Sequence, residues 1–138
     1  MTPSMLDWDD LRVGARLRTF AYQLTQKTVD DYRRSVGDVA LTLVDGVPVA
    51  PPTILTFPML QAIDHTWSPR PGLVHTTQTF RWTQPLPVGA ELTIDGVVDQ
   101  MYLRRARRYF SVATEVRDAR GLIATGQSIF LYPEGDES

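Results

Sequence analysis

Four segments in the second half of the chain have the hydrophobic pattern of β-strands. They cover residues 73–84, 91–102, 107–117 and 122–132, and each is rich in β-branched or aromatic residues. Alternation is clearest in the third segment, which places four residues on one face: Phe110, Val112, Thr114 and Val116. Because only short turn-like segments separate the four, we expect them to be antiparallel neighbours in one sheet.

The first half of the chain predicts a further strand and a short helix. Residues 16–25 alternate loosely between apolar and polar and include two aromatic residues, which is typical of a half-buried strand. The helix is predicted to have Thr28 as its N-cap, with Asp30 and Asp31 in its first turn. Gly37 is predicted to end it, since glycine commonly follows the last helical residue.

A loop and an apolar helix follow. Residues 38–52 are predicted to form a loop that turns at Asp45-Gly46, because prolines interrupt regular structure there. Residues 53–63 are apolar nearly all round, which predicts a helix enclosed by protein. Pro58 lies inside this segment, so the helix either kinks there or begins its regular part near Phe57. The pattern favours an α+β fold in which a curved, five-stranded antiparallel sheet wraps around a central buried helix.

Composition and length limit the classes of protein that fit this pattern. A chain of 138 residues with 43% hydrophobic and 22% charged residues can bury a full core. We therefore expect one domain over residues 1–138, ordered from about residue 8 to residue 132. The net charge of -2 gives no field that would attract nucleic acid or an anionic membrane. The absence of cysteine excludes disulfides and thiolate chemistry and, with no signal-like apolar run at the amino terminus, favours the cytoplasm.

Several short motifs occur in an order that is typical of one family. From the amino terminus they are Gly37-Asp38, Val49-Ala-Pro-Pro-Thr53, Gly72-Leu-Val-His-Thr-Thr-Gln-Thr-Phe80, Gln84-Pro-Leu-Pro-Val-Gly89 and Tyr102-Leu-Arg-Arg-Ala-Arg-Arg-Tyr-Phe110. The chain resembles the MaoC-like hydratases and dehydratases, and more narrowly their amino-terminal, fatty-acid-synthase-type dehydratase domains. The resemblance implies a hot-dog fold that pairs with a second hot-dog chain, as a homodimer or a heterodimer. It also implies an acyl thioester substrate carried on coenzyme A or acyl carrier protein, with no cofactor and no metal.

Two residues are candidates for proton transfer. In the resembling hydratases an Asp-x-x-x-x-His motif does this work, and Asp38 stands where the aspartate of that motif would be. Five residues later this sequence has Leu43, which cannot transfer a proton. His75 is the remaining catalytic candidate, since the resemblance puts it near the substrate tunnel, on a strand face shared with Thr77 and Arg81. The alternatives are a turn residue at Asp38 and a hydrogen-bonded sheet histidine at His75.

The start of the central helix and an arginine cluster are candidates for substrate binding. Oxyanion binding would rest on the backbone N–H groups of Thr53 and Ile54, whereas the alternative is that Thr53 only caps the helix. Guanidinium groups bind phosphate in a planar, two-point manner. Four arginines would hold the phosphates of coenzyme A or of a pantetheine arm: Arg104, Arg105, Arg107 and Arg108. The alternative for these four is a solvated hairpin corner.

Three functions remain open at this point. The first is the supporting subunit of a dehydratase pair, whose partner carries the Asp and the His. The second is a stand-alone dehydratase that uses Asp38 and His75. The third is a thioesterase-like or acyl-binding dimer, for which the central helix offers only Asp64 at its far end. Because the motif histidine is missing, the sequence favours the first.

Overall fold

The computed structural model describes residues 3–37 and 42–134. Its elements, in chain order, are a 3-10 turn (Trp8–Asp10), β1 (Phe20–Gln23), α1 (Gln26–Ser35), β2 (Thr42–Val44), β3 (Val47–Val49), a 3-10 helix (Pro52–Leu55), α2 (Thr56–Thr66), β4 (Val74–Trp82), β5 (Glu91–Arg104), β6 (Arg107–Asp118) and β7 (Gly121–Leu131). The longest of the described helices, α2, has 11 residues, and none has the length and apolar character that crossing a bilayer requires. The candidate Asp38 lies outside the described residues.

Five strands form one antiparallel sheet in the order β1-β5-β6-β7-β4. The four strands predicted in the second half of the chain are confirmed. The fifth is shorter than the predicted 16–25, because β1 begins at Phe20 and Arg16 only forms an isolated bridge to Val97. The strand β4 is an edge of this sheet, and none of the described strands pairs with its outer side.

The helix α2 lies against one face of the sheet. The Met59 Sδ accepts hydrogen bonds from Gln78 Nε2 at 3.7 Å and from Thr114 Oγ1 at 3.5 Å, which belong to β4 and β6. The predicted inner face of β6 is buried along its length: Phe110, Val112, Thr114 and Val116. The predicted α+β fold, a five-stranded antiparallel sheet around a helix, is confirmed.

The start of α1 differs from the prediction. Thr25, and not Thr28, is the N-cap, and its side chain accepts a hydrogen bond from the Thr28 N–H at 3.1 Å. The helix therefore begins at Gln26, one turn earlier, and its first turn contains no acidic residue. Asp31 lies further along the helix, where ion pairs with Lys27 and Arg34 lower the pKa of its carboxyl below the usual value.

The predicted loop contains a hairpin that the sequence did not reveal. Its strands β2 and β3 pair antiparallel, and Asp45 and Gly46 between them have φ of +52° and +78°. Positive φ at both central residues is the requirement of a two-residue hairpin turn, so the turn prediction is confirmed. The strands were missed because each has three residues, too few for an alternation to be recognised.

The central helix begins in two stages. A 3-10 helix precedes α2, so Pro58 is the third residue of α2, where a missing N–H breaks no intrahelical hydrogen bond. This confirms a regular helix that begins near Phe57. In the single chain the helix is open along one side, because Phe57 is 57% exposed and Gln61 and Asp64 are exposed as well.

Candidate functional site

A cavity of about 540 Å³ lies at the amino-terminal end of the central helix. The hairpin β2–β3 closes one side of it, because Ala50 N–H donates to Leu86 O at 2.8 Å and Val88 N–H donates to Pro48 O at 3.1 Å. Its lining is mainly apolar and consists of Val44, Val49, Ala50, Pro51, Pro52, Trp82, Thr83, Gln84, Pro85 and Leu86. Within the described part of the chain, no acidic or basic side chain lines this cavity.

The two polar side chains in the cavity wall are tied to the backbone. The Thr83 hydroxyl donates to Leu122 O at 2.7 Å, and Gln84 Nε2 donates to the same carbonyl at 2.8 Å. Both groups thus use their hydrogen-bonding capacity to hold the end of β4 against β7. The cavity is suited to an apolar group, and its described lining includes no acidic, basic or histidine side chain that could transfer a proton.

The two backbone N–H groups predicted to bind an oxyanion, those of Thr53 and Ile54, differ in whether they are free to donate. Ile54 N–H already donates to Pro51 O at 3.1 Å, so the tight 3-10 turn removes it from the set of free donors. Thr53 N–H has no acceptor among residues 3–37 and 42–134, so it alone retains a free donor. The Thr53 side chain does not cap the helix, and instead its Oγ1 shares a hydrogen bond with Tyr32 Oη at 2.5 Å.

His75 points to the opposite face from the one predicted. A β-bulge between His75 and Thr77 shifts the register with β7, so that His75 lies opposite Phe130 and Thr77 lies opposite Ile129. The prediction that His75 shares a face with Thr77 and Arg81 is therefore wrong. The His75 ring instead stacks on Phe130 with centroids 5.0 Å apart, and its buried Nε2 has no hydrogen-bond partner among the described residues.

Among the described residues, His75 lies far from the apolar cavity within one chain. His75 is the second residue of β4, whereas Trp82, which lines the cavity, is the last. Seven residue-to-residue steps of extended chain place His75 and Trp82 about 23 Å apart. Leu43 lies on the hairpin and is 54% exposed. Asp38 cannot be placed relative to either, since it lies outside the described residues.

The four arginines divide into two pairs. Arg104 and Arg105 are exposed at the tip of the β5–β6 hairpin. Neither of them forms an ion pair with a described residue. Arg107 Nε lies 2.8 Å from Glu134 Oε1. The Arg108 guanidinium contacts two neighbouring rings, 5.4 Å from the Trp8 centroid and 4.6 Å from the Tyr132 centroid, and its Nη2 donates to Pro133 O. The second pair therefore holds the two ends of the chain to the hairpin.

The helix α1 contributes two residues that the sequence did not single out. Tyr32 reaches the start of the central helix through Thr53, and Arg33 is buried, with Nη2 donating to Val49 O at 2.8 Å. The one available signal was the spacing of Val29 and Arg33, which puts an arginine on the apolar face of α1.

The opposite end of the central helix carries the remaining ionisable residues of that helix. Partial burial raises the pKa of the Asp64 carboxyl above its usual value. The His65 ring lies against Phe20, with centroids 5.5 Å apart. Across the described ranges, no group of three or more acidic, histidine or cysteine side chains is placed to hold a metal ion.

A family profile shows the family of this chain, and similar solved structures show its fold. The profile of the FAS1-like dehydratase domain region matches residues 12–125. The unliganded R-hydratase PhaJ1 from Pseudomonas aeruginosa is 20% identical, with a TM-score of 0.74 over 92% of this chain and 85% of that one. The MaoC-like dehydratase from Rhodospirillum rubrum is 14% identical, with a TM-score of 0.74 over 94% of this chain and 99% of that one.

A third similar structure is a complex. It is the carboxy-terminally truncated HadBC (3R-hydroxyacyl-ACP dehydratase) complex from Mycobacterium tuberculosis, 16% identical, with a TM-score of 0.68 over 89% of this chain and 98% of that one. No curated protein sequence matches the chain significantly. At these identities the structural similarities establish the fold alone.

Proposed function

This chain belongs to the FAS1-like dehydratase domain region family, within the MaoC-like hot-dog hydratases and dehydratases, and we propose that it is the supporting subunit of an acyl-thioester dehydratase pair. In this role it completes the fold and binds part of the substrate. Its partner, a second hot-dog chain, carries the Asp-x-x-x-x-His motif. The proposal includes no cofactor, since hydration and dehydration of an acyl thioester require only proton transfer and stabilisation of an enolate oxygen.

The composition of the cavity carries this proposal. Hydration next to a thioester carbonyl needs one group that holds a proton and another that positions or activates water. The described lining of the cavity has neither, and Leu43 occupies the position of the motif histidine. His75 lies at the other end of β4 and stacks on Phe130. The described residues therefore offer a place for an acyl group, and this supports a binding role for the chain.

The open edge of β4 supports a hot-dog partner. An unpaired edge strand of nine residues presents free backbone N–H and C=O groups along its length. Natural proteins cover such edges by pairing, and the HadBC dehydratase is one similar structure that is a complex. The partner would also cover the exposed side of α2 that begins at Phe57.

Each part of the proposed substrate has a matching feature. The apolar cavity of about 540 Å³ suits the acyl chain. Arg104 and Arg105, which have no ion pair among the described residues, are suited to the phosphates of coenzyme A or of a carrier-bound pantetheine arm. Thr53 N–H lies at the start of the central helix, where the helix dipole favours an anionic oxygen.

The test is a hydration assay with a crotonyl thioester, followed by loss of the enoyl absorbance. We expect no turnover by the chain alone, and turnover when a hot-dog partner carrying the Asp-x-x-x-x-His motif is added. Val44→Trp, which fills the cavity from the hairpin, should reduce the activity of the pair, whereas Val13→Trp, at an exposed position away from the cavity, should not. Turnover by the chain alone would contradict the supporting role.

A stand-alone dehydratase is the second candidate, and the unpartnered Nε2 of His75 is the observation that favours it. In that case Asp38→Asn and His75→Gln should each lower kcat of the isolated chain by about a hundredfold or more while the fold is kept. A thioesterase would instead depend on Asp64, whose raised pKa suits a base, and Asp64→Asn would abolish release of free coenzyme A.

A further inference from the structure

The outer face of the sheet, which is turned away from α2, carries a row of polar side chains with opposite charges at its two ends. Neighbours in the same strands, such as Ile94 and Val116, are buried on the helix side, so the row faces outward. The row crosses four adjacent strands at one level, from β5 through β6 and β7 to β4: Asp95, Glu115, Thr125 and Arg81. These four side chains line a cavity of about 490 Å³ on this face.

The acidic end of the row is incompletely neutralised among the described residues. Asp95 and Glu115 lie directly opposite each other on antiparallel strands, an arrangement in which like charges repel. Glu115 has an ion pair with Arg117 at 2.6 Å. Asp95 accepts a hydrogen bond from the Thr19 hydroxyl at 2.5 Å, and none of the ion pairs between described residues includes it or Arg16, which lines the same cavity. A further cation brought to Asp95 from outside would therefore be stabilised there.

The basic end of the same row has the complementary charge. Arg81 is exposed on the edge strand β4, three strand spacings or about 14 Å from Asp95. Within the described ranges it forms no ion pair. Because the acids and the cation lie at opposite ends of one row, the row is complementary to a second row that runs in the reverse order.

A two-fold axis supplies that reversed row. If the axis runs parallel to the strands and passes between β6 and β7, it places β5 of one copy over β4 of the other, and β6 over β7. Arg81 of each copy then lies over Asp95 of the other. Packed sheets lie about 10 Å apart with nearly aligned strands, a gap that an arginine and an aspartate side chain span together. An axis perpendicular to the strands would place Arg81 over Arg81, so the charges select one orientation.

We propose that the outer face of the sheet binds a second copy of this chain in that orientation. Small side chains on the face, Ala113 and Thr79 among them, leave room for the second sheet to approach, and the partner's longer side chains enter the cavity. The contact uses a face of the sheet, whereas a hot-dog partner would use the free edge of β4. Both contacts can therefore form at once, and the proposal does not depend on the proposed function.

Reversal of single charges tests this contact, with sedimentation equilibrium of the full chain as the measurement. Arg81→Glu brings two acids together across the interface, and Asp95→Arg brings two cations together. Each variant alone should self-associate at least about tenfold more weakly than the wild type, because like charges then face each other. An equimolar mixture of the two variants should recover the association, since each chain supplies the charge that the other needs.

The control is Arg104→Glu, which changes the net charge by the same amount at the exposed tip of the β5–β6 hairpin. It should self-associate like the wild type. Equal masses for the wild type and both charge-reversed variants at every concentration would overturn the proposal, and so would a mixture that fails to recover. Weakening by Arg81→Glu alone would assign the association to the edge of β4, which also overturns it.

Cross-linking locates the contact without a reversed charge and decides the case if a charge-reversed variant does not fold. The chain has no cysteine, so Arg81→Cys and Asp95→Cys each introduce a single thiol. A short bismaleimide should join the chains efficiently in a mixture of the two variants, because these positions face each other across the axis. Either variant alone should give few cross-linked dimers, since its own thiols lie three strand spacings apart across the interface. Equal yields in all three samples would overturn the proposed orientation.

Discussion

Met59 and Gly126 meet where α2 crosses the sheet, and a Cβ atom on residue 126 would lie 2.8 Å from the Met59 Cε. A contact this short forces one of the two groups to move. Thr114 lies beside them, and its Oγ1 donates to the Met59 Sδ at 3.5 Å. The end of the buried Met59 side chain lies this close to β7 because residue 126 has no side chain.

Gly126→Ala should therefore destabilise the protein. We expect it to lower the free energy of unfolding by about 1–3 kcal/mol, because the added methyl group displaces Met59 within a filled core. Urea unfolding followed by tryptophan fluorescence gives the value. Thr125→Ala, on the outer face of the same strand, is the control and should change it by less than about 1 kcal/mol. Equal losses in both variants would contradict the packing argument.

The contacts of Arg108 with the Trp8 and Tyr132 rings predict that Arg108 contributes more to stability than Arg104 at the tip of the same hairpin. Arg108→Ala should lower the free energy of unfolding by about 1–2 kcal/mol, because it removes two cation–π contacts and the buried stem of the side chain. Arg104→Ala, at the exposed tip, should change it by less than about 0.5 kcal/mol. A larger effect at Arg104 would show that the hairpin tip is itself structural.

Much of the sheet could be predicted because its strands are long and one face of each is buried. The alternation through Phe110 and Val116 in β6 is read directly from the sequence, and the register with β5 and β7 follows it. The hairpin turn at Asp45-Gly46 was also predictable, because few residue pairs accept positive φ at both positions. These features depend on neighbours in the sequence or on simple periodicity.

The candidate site could be predicted only in part, because it depends on single irregularities. One extra residue at Thr76 turns His75 toward Phe130, and no composition signal marks a bulge. A 3-10 turn at the start of the central helix uses the Ile54 N–H, although a regular helix start would leave it free. The buried contact between Arg33 and Val49 joins residues 16 positions apart in sequence, which only the tertiary structure brings near.

Two aspartates should respond to pH in opposite ways. Ion pairs lower the pKa of Asp31 in the folded state, so its ionised form adds stability that is lost as the pH falls through that value. Partial burial raises the pKa of Asp64, so its ionised form reduces stability above the model-peptide value of 3.8. At pH 7 we therefore expect Asp31→Asn to lower the free energy of unfolding and Asp64→Asn to raise it.

In acid the effect of Asp64→Asn should disappear and that of Asp31→Asn should decrease. Below about pH 3 the Asp64 carboxyl is protonated in both states, so Asp64→Asn should unfold at the same urea concentration as the wild type. The loss of unfolding free energy caused by Asp31→Asn should also become smaller as the pH falls. About 1 M salt at pH 7 should reduce the same loss, since the ion pairs are exposed. Effects of the same sign at pH 7 would contradict the assignment of the two shifts.

The variant His75→Phe tests whether His75 has a structural or a catalytic role. Among the residues that the structure describes, the buried Nε2 has no partner, and the ring stacks on Phe130. A phenyl ring therefore removes an unsatisfied polar atom and keeps the aromatic pair. We expect the free energy of unfolding to stay unchanged or to rise by up to about 1 kcal/mol. Urea unfolding measures this, with His65→Phe, at the far end of α2 against Phe20, as the control.

The same variant then tests the supporting role. If the partner carries the proton-transferring residues, the pair containing His75→Phe should keep its hydration rate within about threefold, because the substitution changes no group that reacts. A general acid or base contributes about a hundredfold to ten-thousandfold to a rate. A loss of that size in a variant of unchanged stability would place His75 in the chemistry, and the stand-alone dehydratase would then explain the unpartnered Nε2 better than the supporting subunit does.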